Sequence, residues 1–180
     1  MWAVGTSAPS AYSLKPIAYS LMASASAYLD GLKMLARREL SEAQVRQRLS
    51  RRGHEGGSID AAVERLKNER AIDDVRVAEA IARTETTIKR RGRLRVRRQI
   101  EHAGIAPPTA RRAVDEIFGD IDDQALIEAA LAKRLRDRTG IADDREFQKL
   151  YRYLIAQGFE ADSVMLWMYC WPINFFCTVV

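Results

Sequence analysis

Cysteine is scarce. Cys170 and Cys177 are the only two in 180 residues, too few for a disulfide framework and too isolated for a zinc knuckle. A reducing compartment, the cytoplasm, is expected. Histidine is equally scarce, and neither His54 nor His102 has a ligand partner at helical spacing. Each flanks a glycine, where an imidazole can cap helix carbonyls, so no metal site is expected. The glycines form no phosphate cradle, because Gly56 and Gly57 stand in a short link with no strand before them and no Lys-Ser/Thr after them. No stretch alternates β-branched and polar residues, which removes sheet folds. The N-terminal stretch has a single basic residue, Lys15, and no apolar core of signal-peptide type, so residues 1–20 read as a flexible lead-in. These gaps leave no catalytic residue, cofactor or small-molecule substrate to expect. They point to an all-α chain.

What is present is a pattern written three times: Val45, Leu49, Gly53; Val96, Ile100, Gly104; Leu150, Leu154, Gly158. In each copy two branched apolar residues share one helical face, and a glycine follows where a helix stops. The glycines are 51 and 54 residues apart. Beyond the first two, Ile59, Ala62, Val63 and Leu66 match Ala110, Ala113, Val114 and Ile117 at identical offsets, drawing a second helical face. Upstream, Leu21, Ala25, Leu29, Leu32 and Ala36 predict the inward face of an opening helix.

Start and stop signals complete the plan. Ser41 with Gln44, and Asp143 with Glu146, have capping-box spacing; Ser58 is placed to cap a third helix, and Gly92 stands where Ser41 stood. Ile72-Asp73-Asp74 and Ile121-Asp122-Asp123 each precede a helical run. Successive residues at a helix start do not face one cavity, so these carboxylates read as caps rather than an acid/base pair. Val77, Ala78, Ile81, Ala82 and Ile88 predict another inward face. Pro107 and Pro108 open a helix that Gly119 ends, and Ile127, Leu131 and Leu135 lead to Gly140. The expected architecture is a tandem array of three three-helix repeats, elongated or curved, over residues 21–71, 72–120 and 121–180. Such arrays usually present a binding surface.

The third copy departs from the others. Val164, Trp167, Met168 and Trp171 occupy the offsets of Ile59, Ala62, Val63 and Leu66, and a tryptophan in place of alanine is expected to overpack an equivalent core. Residues 163–180 carry no charge, a length near the lower limit of about 17–25 residues for a membrane span. Pro172 and Asn174 interrupt it, which argues against a membrane anchor and for an atypical apolar tail.

Net charge is +5, which leans toward an acidic or polyanionic partner. Lys89, Arg90, Arg91, Arg93, Arg95, Arg97 and Arg98 crowd into one hinge and the helix after it. So many cations cannot all bury, and most are expected to project, with Arg93 and Arg97 on one side. They can engage phosphates or carboxylates bidentately. The competing reading is a solvated face paired with Glu85 or Glu101. No aromatic residue interleaves, so a base-stacking platform is not indicated.

Several short segments in fixed order carry a family resemblance: Leu35-Ala36-Arg37-Arg38-Glu39-Leu40-Ser41, Arg70-Ala71-Ile72-Asp73-Asp74 with Ala78, the segment from Gly92 to Gly104-Ile105, and Gln157-Gly158-Phe159. Together they make the chain resemble the RecX family from Ala25 to Val164. The resemblance implies tandem three-helix repeats and a non-enzymatic regulator. Its implied partner is the RecA recombinase filament on DNA, whose ATPase and strand exchange it restrains in recombination, DNA repair and the SOS response. The resemblance assigns no individual binding residue, because the family's contacts are not set by a short motif. Relatives usually finish with a charged helix, whereas this chain runs through Trp167, Cys170, Trp171, Phe175 and Phe176. The residues alone also allow a stand-alone DNA-binding module that contacts the phosphate backbone through the arginines.

Overall fold

The structure, a computed structural model, describes residues 15–135 and 143–170. Among them are nine α-helices and one π-helical turn, with no strand, so the fold is an all-α helical repeat. The chain divides into two compact units, Met1–Asp73 and Asp74–Val180.

The first unit holds α1 (Lys15–Leu35), α2 (Glu42–Arg51) and α3 (Gly56–Asn68). Helix α1 opens at Lys15, inside the expected lead-in, and of its predicted apolar residues Leu32 packs against the core. Ala27, Gly31 and Met34 are buried, whereas Ala25 and Ala36 are exposed and Leu29 is 53% exposed; the Leu21 side chain lies outside the described residues. Close approach rather than bulk selects this face. A Cβ on Gly31 would meet Leu66 Cδ1 at 2.7 Å, so the small residues of α1 let α3 seat tightly against it. Val45, Leu49, Ile59, Ala62, Val63 and Leu66 fill the core as predicted, joined by Leu40 and Ile72.

Ser41 caps α2, its Oγ accepting from the Gln44 N–H at 3.2 Å. Ser58 does not cap. Helix α3 starts at Gly56 with Glu55 at the cap position, and Ser58 is buried within the first turn. Starting at the two glycines turns Ser58 and Ile59 inward together, and burial of Ile59 outweighs the weak helix propensity of glycine.

The second unit holds α4 (Asp74–Arg83), the π-helical turn Thr84–Ile88, α5 (Arg93–His102), α6 (Pro107–Phe118), α7 (Asp123–Leu135), α8 (Asp144–Gln157) and α9 (Ala161–Cys170). One continuous core runs through it, from Val77 and Ala78 on α4 to Val164 and Met168 on α9. Ile88 leaves the predicted face and is 75% exposed. The π-helical turn is the cause: its wider winding inserts a residue, which draws Glu85 and Thr86 inward and turns Ile88 out. On α6, Phe118 is buried while Ile117 is only partly so. Trp167 is 3% exposed, so the core of the last three helices is built around its ring instead of copying the alanine site. Gly140 and residues 171–180, with Trp171, lie outside the described residues.

Asp122 accepts from the Gln124 N–H at 2.9 Å and Asp143 from the Glu146 N–H at 2.6 Å, so both act as caps. The three repeated glycines share a left-handed backbone, with φ of 85°, 81° and 89° at Gly53, Gly104 and Gly158. After α2, the Gly53 N–H donates to the Ser50 carbonyl and the His54 N–H to that of Leu49. After α8, Gly158 and Phe159 donate to Ile155 and Leu154 in the same way. In these two closures the last apolar residue of the triplet, Leu49 or Leu154, is the carbonyl acceptor of a Schellman closure, which explains its fixed distance from the glycine. No described helix is long and apolar enough to cross a membrane.

Candidate partner-binding surface

The cationic segment begins where the π-helical turn ends. Arg90 has φ 53°, its N–H bonds the Thr86 carbonyl at 3.1 Å, and the Arg91 N–H bonds that of Glu85 at 3.0 Å. Gly92 then caps α5 with its backbone alone. Here the first turn of α5 meets the last turn of α8. The Gly92 N–H donates to the Gln157 carbonyl and the Leu94 N–H to the Gly158 carbonyl, each at 3.0 Å. Donors left over at one helix start satisfy acceptors left over at another helix end. The approach excludes side chains: a Cβ on Gly92 would lie 2.4 Å from the Gly158 backbone, and one on Gly158 would lie 2.3 Å from the Arg95 nitrogen.

Much of the positive charge is met within the unit. Glu85, 4% exposed, accepts from Lys89 at 2.6 Å and also from Arg91. Arg93 pairs with Asp115 at 2.7 Å and lies over the Phe118 ring. Arg90 donates to the Ala129 carbonyl at 2.8 Å and Arg95 to that of Ala156 at 2.7 Å, stitching the segment to α7 and α8. Arg97 approaches Glu101 at 3.8 Å, beyond hydrogen-bond reach, and its buried Nε has no hydrogen-bond partner. Lys89, Arg90 and Arg98 are exposed, while Arg91, Arg93, Arg95 and Arg97 are half-buried. The segment is therefore a structural seam as well as a charged surface. Pairing with Glu85 and Glu101 occurs as the competing sequence reading had it; Asp115 and the two carbonyl contacts carried no sequence signal.

Next to this seam the π-helical turn, α7 and α8 enclose a cleft of about 420 Å³, with Lys89, Arg90 and Arg134 around Ile88, Ala129 and Tyr153. The Arg134 guanidinium sits 4.5 Å from the Tyr153 ring centroid. Among the described residues no cluster of His, Cys, Asp or Glu is suited to hold a metal.

In the first unit, charge serves cohesion. Asp30 on α1 receives His54 at 3.2 Å and Arg52 at 3.1 Å, so His54 bonds a carboxylate rather than helix carbonyls. The His54 hydrogen bond, helped by Arg52, holds the Asp30 carboxyl below the usual range. Glu42 is lowered likewise by Lys67 and Arg46, each at 2.9 Å. Tyr28 donates to Glu69 at 2.6 Å, which raises the phenol and lowers the carboxyl, while Arg65 covers the ring.

Residues 27–66 match the family profile for the first three-helix domain of RecX. The regulatory protein RecX of Halorhodospira halophila is 31% identical over 134 residues, spanning 74% of this chain and 80% of the relative. That of Syntrophotalea carbinolica is 29% identical over 144 residues, 79% of this chain and 93% of the relative. Among solved structures, a regulatory protein RecX superposes with TM-score 0.72 at 17% identity, covering 91% of this chain and 80% of the other. RecX from Lactobacillus salivarius superposes with TM-score 0.67 at 17% identity, covering 83% and 96%. The identity over most of the relatives' length, with the match to the first-domain profile, establishes that this chain belongs to the RecX family of regulatory proteins.

Proposed function

We propose that this protein is a non-enzymatic regulator that binds the RecA recombinase filament in the cytoplasm and restrains its ATPase and strand exchange. The observation that carries the reading is family membership, through relatives named as regulatory proteins. A chain of repeated helical modules suits a partner that itself repeats, since several weak contacts in register reinforce one another. Binding that favours one filament state, or that blocks docking of the next subunit, suffices for inhibition without any chemistry in the regulator. The exposed cations Arg90 and Arg98 stand where an acidic surface or a phosphate could meet them.

Stand-alone DNA binding is the weaker reading. Lys89, Arg91 and Arg93 already face carboxylates, which reduces the charge free to displace counterions from phosphate. The deciding measurement is DNA-dependent ATP hydrolysis by RecA with increasing amounts of this protein. The rate is expected to fall with saturation; an unchanged rate at saturating protein would overturn the reading.

A further inference from the structure

The cleft beside the π-helical turn has a composition that family membership does not explain. Ile88 is an aliphatic side chain 75% exposed at its rim, held there by the inserted residue of the turn. Arg90 uses one guanidinium donor on the Ala129 carbonyl, which leaves the others to face the cleft. Arg134 is exposed on α7, and Tyr153 rises from α8. We propose that this cleft binds an acidic peptide segment carrying one aliphatic side chain, with the carboxylates on Arg90 and Arg134 and the apolar group against Ile88 and Ala129.

Three features favour a peptide over a nucleic acid. Phosphate backbones call for a row of free cations, but Lys89 is tied to the buried Glu85, which it shares with Arg91, leaving two guanidiniums around an apolar patch. A base would need an open aromatic face, and the Tyr153 ring is packed on the core and covered by Arg134. Ile88 and Ala129 gain nothing from a sugar-phosphate chain but gain burial from an aliphatic side chain. The inference rests on the proposed function for the source of the peptide, a surface segment of the protein partner.

The test uses the full chain and a fluorescently labelled Asp/Glu-rich peptide with one central leucine, read by anisotropy. Arg134→Glu and, separately, Ile88→Ser are expected to weaken binding about tenfold, since each removes one of the two modes of contact. Replacing the leucine of the peptide by serine should weaken it similarly, and Arg111→Glu on the exposed face of α6, away from the cleft, should leave it within about twofold. Circular dichroism melts of each variant separate lost binding from lost fold, and both substituted side chains are exposed. Undiminished binding by Arg134→Glu or Ile88→Ser overturns the proposal. So does a single-stranded oligonucleotide that displaces the peptide and itself depends on Arg134. Peptide binding that survives while RecA hydrolysis is unaffected would defeat the filament reading and leave the cleft standing. Inhibition of RecA that persists in a chain unable to bind the peptide would do the reverse.

Discussion

Arg70 closes α3 as the repeated glycines close their helices. Its N–H bonds the Lys67 carbonyl at 2.9 Å and the next N–H, of Ala71, bonds that of Leu66 at 2.8 Å, with φ 55° at Arg70 itself. A side chain in the left-handed region costs about 1–2 kcal/mol, and the extra freedom glycine gives the unfolded chain returns about half of that. Arg70→Gly is therefore expected to stabilise the first unit by roughly 0.5–1 kcal/mol, seen as a higher urea midpoint. A lower midpoint would show that the exposed Arg70 side chain contributes more than its backbone strain costs. The same residue explains what the sequence could and could not reveal at this scale. Glycine advertises a left-handed turn because it is the residue that takes it without strain, so the ends of α2, α5 and α8 were legible. Arg70 and Arg90 take that turn with no compositional mark, so the shape of the cationic hinge was not.

At the scale of elements, helices were legible from period and caps, and their faces less so. Helix α1 shows why: its exposed Leu29 and buried Gly31 invert the usual weighting, because fit to Leu66 rather than hydrophobicity decides which side turns in. The π-helical turn hid Ile88 from a count based on 3.6 residues per turn, and with it the cleft. Ion pairs between helices leave no periodic trace at all, and in the first unit they carry a pH dependence. Asp30 and Glu42 titrate below their ordinary values in the folded chain, so the stability they add is present above the unfolded pKa of about 4 and is lost as pH falls through the folded value. Urea midpoints are expected to drop between about pH 5 and pH 3, and Asp30→Asn is expected to be less stable at neutral pH with a shallower drop. An identical slope in Asp30→Asn would remove Asp30 as a contributor.

For the molecule as a whole, equal repeats in sequence do not make equal neighbours in structure. Gly53 and Gly158 occupy the same place in the pattern and share nearly the same φ, 85° and 89°. A Cβ on Gly53 would meet nothing within 4 Å, whereas one on Gly158 would run into the Arg95 backbone at 2.3 Å, where α5 and α8 exchange their terminal hydrogen bonds. Gly53→Ala thus meets only backbone strain, about 1–2 kcal/mol, while Gly158→Ala adds overpacking of about 1–3 kcal/mol more. The difference is also expected to be regional. The residues of α4 to α9 bury one continuous core, and those of α1 to α3 bury another. Native-state hydrogen exchange of Gly158→Ala should therefore show lost protection across α4–α6 as well as α8 and α9, because the seam joins helices far apart in sequence, while amides of α2 and α3 stay protected. In Gly53→Ala the loss should be smaller and confined to α1–α3. If Gly158→Ala loosens α8 and α9 alone, the glycine seam does not couple the later repeats, and the shared core is held by its apolar side chains without the backbone contact.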